Sequence, residues 1–137
     1  MRAVRLLASV HVIDLPDEIE ISVNVSDPQY VLQENRLLVR VTHTVTFYEA
    51  KTPDSESTEK NAELATIKVA HVADLKLRGD APDPGEIDDL FRNNTIFMIH
   101  PYARSAIHRL AVEVGLPPVV LPYLRRSDWP PTGSEDL

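Results

Sequence analysis

The chain contains no cysteine, only four glycines and few aromatic residues, 6% of the total. Each shortage removes a class of chemistry. Without thiols there are no disulfides, thiolate metal sites or thiol nucleophiles. The glycines, at positions 79, 85, 115 and 133, are too scattered to form a phosphate-wrapping loop, and no serine sits in a nucleophile elbow. Long apolar runs are also missing. Met1–Ala8 has the start of a leader-like stretch, but His11 and Asp14 interrupt it too soon, and no window reaches the roughly 18 apolar residues of a membrane span. Basic residues are outnumbered, 14 Lys and Arg against 21 Asp and Glu, for a formal net charge of −7. A surface built to neutralise phosphates would carry the opposite balance. We therefore expect a cytoplasmic protein with no nucleic-acid partner and no membrane insertion, suited instead to a basic or unfolded partner.

What is present is enough for one domain: 137 residues, 43% of them hydrophobic. Residues 2–14 alternate, with Val4, Leu6, Ala8, Val10 and Val12 on one face, the period of a half-buried strand. After Leu15-Pro16-Asp17 the parity changes. Ile19, Ile21, Val23 and Val25 alternate with Glu18, Glu20, Ser22 and Asn24, predicting a second strand that Asp27-Pro28 ends. A third strand is predicted from Arg36 to Tyr48, with Leu37, Val39, Val41, His43, Val45 and Phe47 on one side. Lys51–Asn61 has no apolar residue to anchor it and reads as a mobile hairpin loop. A fourth strand runs from about Ala62 to Arg78, long enough to bend or bulge near Ala70-His71-Val72.

Beyond Gly79-Asp80-Ala81-Pro82-Asp83-Pro84-Gly85 the period changes. Glu86–Phe91 predicts one short helical turn. Ile96, Ile99, Ala103, Ala106, Ile107, Leu110, Ala111 and Val114 then recur at three- and four-residue steps, an apolar stripe along a helix. Pro101 either opens the regular helix or bends one that starts near Asn94. Gly115 caps its end and Pro117-Pro118 prevents resumption. The expected architecture is α+β, a four-stranded antiparallel sheet followed by a long helix. One domain over residues 1–126 is expected, with 127–137 a disordered tail. One such sheet and one helix cover only part of their own apolar surface, so oligomerisation is expected as well.

The histidines are the first candidates for chemistry. His43 and His71 share the apolar parity of their strands, but spacing places no third metal ligand, so a satisfied or partly exposed pair is the better reading. His100, Arg104 and His108 follow one helical flank, where the cation would repel a metal ion. The acids Asp17, Glu18, Glu86, Asp88 and Asp89 lie in loops or near a helix start, positions that solvation and the macrodipole explain without catalysis. No enzyme, cofactor or metal is expected. What remains is apolar surface at Tyr30-Val31-Leu32, Leu116, Val119-Val120-Leu121, Tyr123-Leu124 and Trp129. It is either core and subunit interface or a groove for extended segments of another chain, rimmed by acids.

The segment Ile96-Phe97-Met98-Ile99-His100-Pro101-Tyr102-Ala103-Arg104, followed by Ile107 and the Gly115-Leu116-Pro117-Pro118 stop, resembles the signature of the SecB chaperones. The order of four strands and then this helix agrees, so the resemblance spans residues 2–124. It implies a dimer of dimers whose long helices pack between two sheets, holding unfolded polypeptides in apolar grooves without ATP. By position, Pro101, Tyr102, Ala103 and Arg104 would shape the helix start and its packing, while Ile107, Leu110 and Val114 would continue that packing side. Leu116, Val119 and Leu121 match the run that lines the client groove, with Tyr30, Leu32, Tyr123 and Trp129 as further client-binding candidates. Glu18 and Glu20 would lie near a contact with the SecA export motor.

The sequence departs from the family pattern at three places. The long crossover between the first two strands shrinks to about Leu15-Pro16-Asp17, and His100 stands where a Phe is usual. Leu121-Pro122-Tyr123-Leu124-Arg125-Arg126 replaces the start of a second helix. The resemblance thus implies a chaperone of exported preproteins or of an antitoxin segment, with a smaller or more open groove. A structural or regulatory oligomer that reuses the fold without a client is the alternative.

Overall fold

The computed structural model describes residues 1–50, 62–119 and 121. The expected hairpin loop at Lys51–Asn61, the tail at 127–137, and Tyr123 and Trp129 lie outside the described residues. The chain forms β1 (Arg2–Val10), β2 (Ile19–Val25), β3 (Gln29–Gln33), β4 (Arg36–Glu49) and β5 (Glu63–Lys76). The helical part follows as α1 (Pro84–Leu90), a π-helical turn (Phe91–Thr95) and α2 (Ile96–Glu113). All strand pairs are antiparallel, in the order β1-β5-β4-β2, and β3 also pairs with β4.

Strand β3 is a fifth strand that the sequence reading did not separate. Asp27-Pro28 stops β2, but the chain resumes on the same side of β4. Gln29–Gln33 pairs with its first residues, Arg36–Arg40, and Ile19–Val25 with its last, His43–Glu49. A two-residue turn joins β3 to β4, and Glu34 takes a left-handed φ of 51° there. β1 ends at Val10 rather than at residue 14, so the connection to β2 comprises residues 11–18 and is longer than Leu15-Pro16-Asp17 alone.

There are two register shifts, one beside the expected Ala70-His71-Val72 stretch but with its extra residue on the partner strand, the other not foreseen. One lies in β1, where Ala3 pairs with His71 and Arg5 with Ala70, leaving Val4 as the extra residue. The other lies between Phe47–Ala65 and Tyr48–Glu63, so that Leu64 is the extra residue of β5. That bulge lets Leu64 and Ala65 both be buried although they are neighbours in a strand.

The helix packs on one face of the sheet, chiefly over β5, with further contacts to β1 and β4. Val45, Phe47, Ile67 and Val69 meet Ala103, Ile107 and Ala111 in one cluster. Leu37, Val39, Val41 and Ala73 meet Ile87, Phe91, Ile96 and Ile99 in a second. Asp83 caps α1, its carboxylate accepting from the Glu86 N–H at 2.8 Å. Pro101 lies inside α2 and does not start it. The backbone stays right-handed through the π turn into α2, although proline has no N–H for the Phe97 carbonyl. Gly115, at φ +78°, ends the helix as expected.

Candidate functional site

An α-helix with its side chains is about 10–12 Å across, while neighbouring strands lie about 4.8 Å apart, so one helix covers two to three strands. Here that leaves the β2–β3 side of the helix-bearing face open. Ile21 pairs with Phe47 and Val23 with Val45, both buried, yet Ile21 and Val23 are each 45% exposed. Tyr30 and Leu32, opposite Val39 and Leu37, continue the row along β3 and are 43% and 38% exposed. Tyr30 and Leu32 were foreseen as apolar surface, whereas Ile21 and Val23 were not. Their alternation was legible, but the helix's lateral position over the sheet was not.

The run after the helix behaves differently. Leu116, Val119 and Leu121 are buried in the first core cluster beside Val45 and Phe47, and Leu15 and Ile19 pack partly against them. In the single chain they therefore serve as core. The Arg104 guanidinium explains how the run is held: its Nε–H donates to the Leu121 carbonyl, tying the segment back onto α2.

The helix motif divides in two. Ala103 and Ile107 are fully buried against the sheet, Leu110 is partly buried there, and Val114 is exposed rather than interior. Pro101 and Tyr102 are exposed, Tyr102 at 55%, and lie three and four residues after exposed Met98, while exposed Val112 lies ten residues beyond Tyr102. Pro101, Tyr102 and Arg109 also line a cavity of about 460 Å³ between α2 and β1, together with Leu6 and His71. Glu18 and Glu20 are both exposed.

Beneath the helix lies the polar part of the seam. His43 is fully buried and His71 nearly so, and neither ring nitrogen of His43, nor Nδ1 of His71, has a hydrogen-bond partner among the described residues. The satisfied or partly exposed pair expected from sequence is not what forms. His100 of α2 stands 5.9 Å from His43 between ring centres, and Tyr102 stands 6.5 Å from His71. Burial, reinforced by His100 and His71, pushes the His43 imidazole down to about 4, and burial also lowers that of His71. Among the described residues, no group of three or more His, Cys, Asp or Glu could hold a metal ion. No helix among them is long and apolar enough to cross a membrane.

No family model matches the sequence, and no curated protein matches it. The fold does have a counterpart among solved structures. The SecB-like chaperone Rv1957 of Mycobacterium tuberculosis, in complex with a ChAD peptide from the Rv1956 HigA1 antitoxin, superposes with a TM-score of 0.73 at 19% identity. The match covers 90% of this chain and 86% of that one.

The chain has the SecB-like fold.

Within the SecB-like fold, the Pro101-Tyr102-Ala103-Arg104 segment now has a structural account. Ala103 allows the helix to sit close on the sheet, Arg104 holds the chain that follows, and Pro101 and Tyr102 stand exposed at the cavity beside β1.

Proposed function

We propose that this chain is an ATP-independent molecular chaperone that holds unfolded or extended polypeptide segments on its apolar surfaces, acting in the cytoplasm. The observation that carries this reading is the open apolar row Ile21, Val23, Tyr30 and Leu32, set in a fold whose solved counterpart holds an antitoxin peptide. That counterpart favours an antitoxin segment over an exported preprotein as client. In the export alternative, Glu18 and Glu20 are the residues to face SecA. Tyr123 and Trp129 remain client-binding candidates, and Leu116, Val119 and Leu121 contribute by supporting the floor beside the client.

Binding gains about 25 cal/mol per Å² of apolar surface removed from water, against the entropy of ordering the client, so affinity is spread over several weak contacts. The protein works as a homo-oligomer, a dimer of dimers, with Met98, Tyr102 and Val112, exposed on α2, as its packing surface. The test is suppression of light scattering when a chemically denatured model enzyme is diluted into stoichiometric amounts of the protein without nucleotide. Suppression is expected. Unchanged aggregation across a range of clients, an antitoxin C-terminal segment included, would remove the reading.

A further inference from the structure

The helix covers one face of the sheet, and the strand registers fix which side chains stand on the other. Partners directly opposite in an antiparallel pair share a face, and the face alternates along each strand. On the helix-free face Arg36 of β4 stands opposite Lys76 of β5, and Arg40 opposite Val72, whose other neighbour is Arg2 of β1. Further along, Arg5 is opposite Ala70 and Leu7 opposite Lys68. Six cations therefore share this face with three acids: Asp74 among them, and Glu20 and Glu63 at the far end on either side of Tyr48. The whole chain has 14 Lys and Arg against 21 Asp and Glu, so folding sorts charge by face. The net charge alone points to a basic partner, whereas this face has the opposite sign.

Arg2, Arg5, Arg36, Arg40, Lys68 and Lys76 are all exposed. Of the six, Arg36 alone is in an ion pair among the described residues, its Nε–H donating to Asp74 at 3.0 Å. That hydrogen bond, with the charges of Arg36 and Arg2, holds the Asp74 carboxyl below its ordinary range, so the central acid is already compensated. Arg2, Arg36 and Asp74 also line a cavity of about 380 Å³ with Leu38, Val72 and Gln33. Beside it Val31, opposite Leu38, is 52% exposed, and Leu7 is 41% exposed. Aliphatic side chains thus stand between the cations.

Charge and chemistry select the occupant. A phosphate backbone would pair with the cations, but it has no aliphatic groups to cover Leu7, Val31, Leu38 and Val72. No aromatic side chain stands among the cations for a base to stack on, since Tyr48 lies at the acidic end. A second copy presenting the same face would set cations against cations. An acidic polypeptide meets both parts, with carboxylates for the cations and aliphatic side chains for the middle. From Lys68 to Lys76 the face runs about 27 Å, the reach of about eight extended residues. We infer that the helix-free face of the sheet is a docking surface for an acidic segment of a partner protein, with Leu or Val between its Asp and Glu. It lies on the opposite side of the sheet from the apolar row Ile21, Val23, Tyr30 and Leu32, and does not depend on the chaperone reading.

The probe is a fluorescein-labelled peptide of about ten residues built from Glu, Leu and Gly, followed by anisotropy against the full chain. Its counterpart has Lys at every Glu position. At low ionic strength the acidic peptide is expected to bind at least roughly tenfold more tightly than the basic one, and added salt to weaken it. Arg5→Glu with Arg40→Glu reverses two exposed charges and is expected to weaken acidic-peptide binding by about tenfold or more. Its thermal midpoint and its suppression of client aggregation are expected to match those of the wild type. If the midpoint falls, Arg40→Gln with Lys68→Gln reads the same face through loss of charge alone, with a weakening of about threefold expected.

Equal binding of the two peptides, or wild-type affinity in both double variants, would overturn the inference. So would a single-stranded oligothymidylate that binds more tightly than the acidic peptide and is lost with Arg5→Glu and Arg40→Glu, which would make the face a nucleic-acid surface. Co-sedimentation with phosphatidylserine vesicles that the same variant abolishes would assign the face to a membrane and overturn it too. A fall in light-scattering mass in that variant would assign it to a second copy, with the same result. Acidic-peptide binding that the variants weaken, in a protein that suppresses no aggregation, would remove the chaperone reading and leave this surface standing.

Discussion

His43 sits at the centre of the seam between sheet and helix, and its charge state is coupled to that seam. Its imidazole titrates at about 4 in the folded chain against 6.5 when solvated, so between those values the unfolded chain holds the extra proton. The stability this confers is fully present above pH 6.5, declines as pH falls, and is gone below 4, a loss on the order of 3 kcal/mol. Urea denaturation at a series of pH values from 7.5 to 4.5 should show that decline, and His43→Leu should flatten it. Sequence parity placed His43 and His71 on the inner face but could not place His100 and Tyr102 over them, because periodicity carries no register between a helix and the sheet beneath it. Gly115 is simpler. Its φ of +78° with no atom within 4 Å of an added Cβ means that Gly115→Ala is strained by backbone conformation alone. A loss of about 1 kcal/mol in thermal or urea stability is expected, with Gly115→Asn costing less.

At the level of elements, the strands were legible where side-chain alternation ran long, as in β2, β4 and β5. β3 escaped because five residues after Asp27-Pro28 carry too short a pattern to distinguish a strand from a loop. The long partner β4 is what makes it a strand, by offering unused ladder positions at Arg36–Arg40. The irregularity expected near Ala70-His71-Val72 is there, but which strand carries the extra residue, and the second bulge at Leu64, were not legible for a related reason. Val4 and Leu64 are extra residues only relative to a partner strand, and that relation is absent from either strand's own pattern. The helix shows the converse. Pro101 left open a helix start or a bend, and burial of Ile96 and Ile99 upstream of it, together with Ile107 downstream, holds one continuous element across the missing hydrogen bond. The segment after α2 is held by burial of Leu116, Val119 and Leu121 and by the Arg104 tether. Arg104→Met would leave the part-buried Leu121 carbonyl without its charged donor, and chemical denaturation should show a loss of about 1–3 kcal/mol. Arg104→Lys, which keeps the charge but not the planar guanidinium, should recover only part of it.

For the whole molecule, the limiting quantity is coverage: one helix cannot roof a sheet four strands wide, and sequence patterning does not reveal which strand is left open. Tyr30 and Leu32 were legible as surplus apolar surface. Leu116, Val119 and Leu121 were read as the same kind of surplus and turned out to be roofing. The exposed side of α2 carries further apolar surface, as β1 does with Val4, Leu6, Leu7 and Val10. If Tyr102 and Val112 form the packing surface of an oligomer, the double variant Tyr102→Asp and Val112→Asp should shift light-scattering mass to a smaller species. Its thermal transition should remain cooperative, since both side chains are exposed in the single chain.

The position of β1 has a consequence in time. It is made well before β5, its one strand partner among the described residues, with Val10 opposite Ala65 and Arg2 opposite Val72. Until that distant segment emerges, an apolar strand has nothing to pair with, and closing so large a loop is slow compared with forming the β4–β5 pair. Pulse-labelled amide exchange during refolding should therefore protect β4 and β5 before β1. Protection of β1 at the same rate would show that collapse of Leu6 and Ala8 onto the sheet precedes the ladder. A protein proposed to shelter extended segments thus carries one of its own through folding, with β1 waiting for cover until β5 is in place.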